Sequence, residues 1–259
     1  MKQAKKFITN NYTTFTLGIL FVFALWAIIS YSDGKGSFIF PSPKDTFVAL
    51  GDLLGDKYTY ESIGWSMLRT FVGFAIAFIL ALILGLFAGN FKKSQNFFKP
   101  LIIVLKCVPT AAFVFLFLAK AGSRWAPTFI VSLLAFPILF EAIVRGMNAI
   151  SDDINDALKI DSQNNLYILF KIRLPLAFPY LALGIASSFA LSVKTEIMAE
   201  IISGDTNYGL GCMISGLRNT SPEDLSPIFA LAIIAVVIVL LISLIAHLLE
   251  RHFGKDVMN

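Results

Sequence analysis

Residues 151–175 read SDDINDALKIDSQNNLYILFKIRLP, a long polar segment set between two apolar runs. Within it Leu158, Ile160, Leu166, Ile168, Leu169 and Ile172 interleave with Asp, Asn and Lys. That pattern predicts short amphipathic helices whose apolar face turns toward something outside a bilayer. Another protein suits such a face, because ordering an amphipathic segment costs conformational entropy that solvation alone does not return.

The rest of the chain sets the class. Of its 259 residues 57% are hydrophobic and 15% are charged, and the apolar residues fall in blocks too long for soluble core helices. The expectation is an all-α integral membrane protein, a single domain over 1–259 with about six spanning helices of roughly 20 residues each. The net charge of +4 does not indicate nucleic acid as a partner, since Lys and Arg gather at span ends, where they set topology. Cys107 falls in a predicted span and Cys212 in an outer segment, so no disulfide framework can be argued.

In chain order the predicted spans are 13–31, 62–89, 100–119, 126–146, 174–203 and 227–249. The first follows Lys2, Lys5 and Lys6 and is too long for a signal-peptide core, with no clear small-residue cleavage site after it. Between the first two spans, FPSPKDTFVAL continues into an amphipathic helix lying along the outer surface, started by Ser42 or Lys44. Gly73, Gly85 and Gly89 in the second span suit close helix approach. Pro109 and Pro137 read as kinks rather than chemistry, and the 25 phenylalanines as lipid-facing or packing residues.

With the N-terminus inside, Lys2, Lys5, Lys6, Lys92, Lys93, Lys99, Arg145, Lys159, Lys171, Arg173, Arg251 and Lys255 make 12 inner cations; Lys35, Lys44, Lys57, Lys120, Arg124 and Arg218 make 6 outer ones. Both termini and the 151–175 segment are therefore expected in the cytoplasm.

Four intramembrane charges stand out. Glu196 and Glu200 are four residues apart and share a helix face, with Lys194 nearby and Lys106 in the third span. Such groups face a cavity or one another. They either line a translocation path, where Lys106 and Lys194 would counter the charge of an anionic or zwitterionic solute, or form structural ion pairs, for instance with Lys106 or Arg69 as cation. His247 and His252 are the only histidines. No ligand cluster indicates a metal, no cofactor is implied, and no nucleophile with a base in reach indicates an enzyme.

The spacing from Asp156 carries a resemblance. Asp156, Ala157 and Leu158 are followed after three residues by Ser162, after nine more by Ile172, and then by Leu174 and Pro175. This is similar to the EAA loop of bacterial ABC importer permeases, Glu-Ala-Ala, three residues, Gly, nine residues, Ile, one residue, Leu-Pro. Asp156 replaces Glu and keeps its charge, Leu158 replaces the second Ala, and Ser162 replaces a Gly and its freedom at positive φ. FPSPKDTFVAL, KCVPTAAFVFL, FPILFEAIVRG, SVKTEIMAEII and YGLG at 208–211 extend the resemblance to the permeases of nitrate, sulfonate, taurine and thiamine-precursor importers. Where that family commonly shows Trp-Lys and Ala-Gly, this chain has Val193, Lys194, Thr195 and Glu196, and Glu196 is the departure that bears most on the solute.

The resemblance implies a six-helix permease of the type I importer fold in the bacterial inner membrane. Its implied partners are a dimer of cytoplasmic ABC ATPases, an extracytoplasmic solute-binding protein and a second permease copy. Asp156, Ala157, Leu158 and Ser162 would form the elbow that docks on the ATPase, joined by Leu174 and Pro175 to the fifth span. The chain carries no GxxxxGK[ST] phosphate cradle, so an engine must be supplied by contact. The competing class is a self-sufficient ion-coupled carrier using Glu196 and Glu200, but such carriers are built from internal repeats, and the two halves show none.

Overall fold

The computed structural model describes residues 11–32, 40–151, 153–154, 165–204 and 208–257. Asp156, Ala157, Leu158 and Ser162 of the expected elbow lie outside them. Among the described residues the regular structure is helical throughout: α1 (Asn11–Ser32), α2 (Pro43–Gly55), α3 (Lys57–Asn90), α4 (Lys92–Cys107), α5 (Thr110–Asn148), α6 (Asn165–Ile168), α7 (Leu174–Ser203), α8 (Leu210–Thr220) and α9 (Ser226–Val257). The segments Thr13–Tyr31, Lys57–Asn90, Thr110–Asn148, Leu169–Ser203 and Ser226–Ile245 are long and apolar enough to cross a bilayer.

The chain divides into two compact units, one of Met1–Thr59 with Gly216–Ile234 and one of Tyr60–Ser215 with Ala235–Asn259. In the first, hydrogen bonds and ring contacts tie α1 to Phe40, Pro41 and Phe229. Trp26 Nε1 donates to Pro41 O at 3.0 Å and Ser30 Oγ to Phe40 O at 3.1 Å, and Phe229 takes the rings of Trp26 and Phe40. The amphipathic helix α2 starts at Ser42, whose hydroxyl accepts from Asp45 N at 3.1 Å. Pro43 sits in its first turn, where no N–H is needed.

In the second unit the expected third span is not one helix. Pro109 lacks the N–H that would meet the carbonyl of Leu105, so α4 ends at Cys107 with Val108 extended, and α5 begins at Thr110. Inside α5 the backbone then reverses at Gly122, whose φ of 72° is open to glycine without cost. Phe117 and Phe129 stand at 5.8 Å between ring centroids. Twelve residues of straight helix would separate them by about 18 Å. The two arms of α5 thus form a hairpin, and six apolar segments result where five long helices are counted. Pro137 lies within unbroken helical backbone.

Between α3 and the second arm of α5 the spacing is set by glycines. A Cβ on Gly73 would come 2.5 Å from Thr128 O, and one on Gly89 would come 2.7 Å from Met147. Where lipid offers no hydrophobic drive between helices, such close approach supplies the van der Waals contact that holds them. The core between these helices and α7 is apolar, with Ala77, Ala81, Phe136, Leu139, Ile143 and Leu181 among its buried residues.

At the entry to α7 the helix widens into a π turn over Leu169–Arg173, where Leu174 N reaches back to Leu169 O. Pro175 is the local cause, because its ring clashes with the carbonyl four residues earlier and it donates nothing. Arg173 Nη1 donates to Asn90 Oδ1 at 2.5 Å, tying this junction to the end of α3.

Gly73→Ala is expected to lower the thermal midpoint of the purified protein by the equivalent of about 1–3 kcal/mol through overpacking. Gly64→Ala, whose Cβ meets nothing within 4 Å, is expected to leave the midpoint unchanged or raise it. Equal effects in a detergent thermal-shift series would show that glycine spacing does not set the α3–α5 contact.

Candidate functional site

The second half of α7 sorts its charges by helix face. Glu196 and Glu200, one turn apart, are fully buried. Lys194, about 200° around the helix from Glu196, lies on the exposed face with Leu191 and Met198. Lys194 and Glu200 therefore do not meet.

Glu200 is the centre of a buried polar knot. Its carboxylate accepts from Ser66 Oγ at 2.8 and 2.9 Å, from Arg69 Nη1 at 2.7 Å and from Gly211 N at 2.9 Å. Ser66 Oγ in turn accepts from Leu210 N at 2.9 Å, and Arg69 Nη1 also donates to Tyr208 O at 2.9 Å. Ser66 is fully buried and Arg69 is 4% exposed. Leu210 and Gly211 open α8, and their N–H groups are among those a helix start cannot pair internally. Glu200 and Ser66, from two other helices, satisfy them as a long-range cap, and the carboxylate also suits the positive end of the helix dipole.

Both glycines of the YGLG sequence are required by this geometry. A side chain on Gly209, at φ +153°, would start 2.5 Å from Glu200 Oε1, and one on Gly211 would strike the backbone of α7 at Ile197. The guanidinium of Arg69 also stands over the Trp65 ring at 5.7 Å, with Arg124 over the same ring at 5.5 Å.

Glu196 is different. Although it shares the electrostatic field of Arg69 and Glu200, neither of its carboxylate oxygens has a hydrogen-bond partner among the described residues. Lys106 joins none of these groups; its Nζ donates to Glu141 Oε1 at 2.7 Å. Of the elbow residues within the described chain, Leu174 is half-buried and Pro175 exposed. Among the described residues no group of three or more His, Cys, Asp or Glu could hold a metal.

Sequence reasoning named Arg69 as a possible cation for the glutamates but passed over Ser66 and the amides of residues 210 and 211. The hydroxyls of Ser62, Ser66 and Thr70, four residues apart beside Arg69 in an otherwise apolar span, were the available signal. Glu141 and Arg145, one turn apart near the end of the fourth span, were a second.

Removing one partner of the buried pair leaves the other charge uncompensated. Arg69→Ala is expected to cost about 3–5 kcal/mol and Ser66→Ala about 1–3 kcal/mol, measured as thermal unfolding in detergent. Arg69→Met combined with Glu200→Leu should cost less than the sum of the single changes. Glu196→Leu should hold or raise the midpoint, since it removes a buried carboxyl that lacks hydrogen bonds.

Comparison with known proteins places this architecture. A family profile described as "Binding-protein-dependent transport system inner membrane component" matches residues 77–255. A putative aliphatic sulfonates transport permease protein of Bacillus subtilis is 25% identical, with 90% of this chain and 84% of that protein covered. A nitrate import permease protein of Leptolyngbya laminosa is 27% identical, covering 76% and 70%. The glycine betaine/proline betaine permease of Escherichia coli is 22% identical, covering 96% and 68%. In fold, the chain is similar to the MetNI methionine ABC transporter, with TM-score 0.66 at 16% identity over 76% of this chain and 96% of that one. It is also similar to an amino acid ABC transporter solved with histidines, with TM-score 0.64 at 16% identity over 80% and 97%. The match over 77–255 spans more than half of the sequence, and the chain belongs to the family of inner-membrane components of binding-protein-dependent transport systems, multi-pass permeases rather than enzymes.

Proposed function

We propose that this permease is driven by a cytoplasmic ABC ATPase and brings a small anionic or zwitterionic solute into the cell, with an extracytoplasmic binding protein delivering the solute and a second copy of the chain completing the path. The observation that carries the reading is the junction at 169–175. An amphipathic polar segment ends in a π turn and Leu174-Pro175, and Arg173 fastens that turn to Asn90 at the end of α3. A push arriving at the elbow of Asp156, Ala157, Leu158 and Ser162 is then delivered to α7 along the chain and to α3 through a side chain.

Relatives named for sulfonates, nitrate and betaines support a small charged solute, and the exposed Lys194 supports an anionic group on it. The excess of inner cations supports cytoplasmic termini and a cytoplasmic elbow. Closure of the ATPases would shift the two copies between outward-open and inward-open states. Against an ion-coupled carrier stands the state of Glu200, whose carboxylate is occupied by Ser66, Arg69 and Gly211 and so is poorly placed to bind and release an ion each cycle.

The test has two arms. Affinity-purified chain is expected to bring an ATPase with it, and uptake in cells should stop on ATP depletion while the proton gradient persists; uptake that continues would favour the carrier. Asp156→Lys should insert normally yet lose co-purifying ATPase, and ATP-coupled uptake at the parent rate in that variant would remove the elbow assignment.

A further inference from the structure

Glu141 and Arg145 sit one turn apart on α5, and Lys106 reaches Glu141 from the last turn of α4. Lys106 Nζ donates to Glu141 Oε1 at 2.7 Å and Arg145 Nη2 donates to Oε2 at 3.3 Å. One carboxylate is shared by two cations, so the cluster keeps one net positive charge. Glu141 and Arg145 also border a cavity of about 160 Å³ whose other wall is Tyr180, Leu183, Gly184 and Ser187 of α7. Tyr180, Leu183 and Ser187 begin an exposed face of α7 that continues through Leu191 to Lys194, about 10 Å further along the helix than Ser187.

The side chains of Lys106 and Arg145 are 44% and 74% exposed, Arg145 on a helix long and apolar enough to cross the bilayer and Lys106 in the last turn of α4 beside it. Charged groups there face water or protein rather than hydrocarbon. Covering the ion pair with an apolar partner would desolvate it at a net cost. Arg145 reaches back one turn onto Glu141, the direction in which helical side chains lean. It commits one N–H of five there, and a planar guanidinium suits an oxyanion. The cavity has room for about five waters at about 30 Å³ each, the scale of a carboxylate or sulfonate head.

We propose that this cavity is a subsite for a singly charged oxyanion group of the transported solute. Arg145 binds the group, and Glu141 is a positioning residue that holds Arg145 and Lys106 in place. The inference rests on the reading of the exposed α7 face as part of the solute path.

The experiment is thiol labelling of the full-length chain in native membranes, in a Cys107→Ser, Cys212→Ser background. Ser187→Cys, a one-atom change, is the reporter, with Leu183→Cys as a second. The probes are the anionic sulfonatoethyl and cationic trimethylammonium-ethyl methanethiosulfonates, each rate normalised to its reaction with free cysteine. Both reporters should react from the aqueous phase, the anionic probe favoured about tenfold by local positive potential. Arg145→Gln should abolish that preference and Arg145→Lys should keep most of it. Absence of labelling at both positions, or a preference that survives Arg145→Gln, would overturn the proposal. Labelling needs neither ATP nor a binding protein, so its failure leaves the importer reading standing. Failure of ATP-dependent uptake would leave the labelling pattern untouched.

Discussion

One buried carboxylate organises the membrane-embedded part of this chain. Glu200 stands where α7, α3 and the start of α8 meet, and each contributes donors to it: Ser66 and Arg69 from α3, Gly211 from α8. A lone carboxylate in such surroundings would be costly, and Glu200 offsets that cost with donors that Glu196, one turn away, lacks among the described residues. The requirement runs the other way as well. The first amides of α8 need an acceptor away from water, and the carboxylate and Ser66 hydroxyl are those acceptors. The knot is therefore better understood as a specification of where three helices meet than as a store of stability, since well-packed apolar groups can stabilise equally.

Around that point the apolar contacts between helices are van der Waals in kind. Glycines along α3 admit side chains of α5, and α7 closes against α5 with Gly184 facing Ala142. With little difference in apolarity between lipid and helix surface, the fit must come from shape. Outside the knot, Lys194 lies on the exposed face of α7, Lys106 and Arg145 are exposed around the carboxylate of Glu141, and Glu196 alone of these charges is buried.

Much of this was legible in the sequence, and the limits have physical causes. Apolar runs give membrane helices because a spanning backbone must pair its own polar groups, so α3, α7 and α9 follow the predicted spans closely. The start of α2 at Ser42 was readable from cap chemistry. The third span was legible only in part: the break between the predicted spans 100–119 and 126–146 coincides with the reversal at Gly122, but hydropathy is blind to Pro109, which removes a donor inside an apolar run. Arg69 and Glu200 were each visible as intramembrane charges, but they are 131 residues apart, and only the packing of α3 on α7 pairs them. The role of Leu210 and Gly211 lay further out of reach, since their contribution is main-chain and any residue type carries an amide.

The interruption between α4 and α5 has a consequence for mechanics. Pro109 leaves the Leu105 carbonyl without its helical donor, in a stretch flanked by apolar residues. Such an acceptor is tolerated there only beside other protein or a wet crevice. The backbone is also weakest at that point, with about 24 Å of rod on one side and about 18 Å before the reversal on the other. The two rods can swivel about Val108 without breaking a helical hydrogen bond in either, so bending here draws on torsion angles and on the side-chain ties of α4 to the far arm of α5, Lys106 to Glu141 and Gln95 to Asn148.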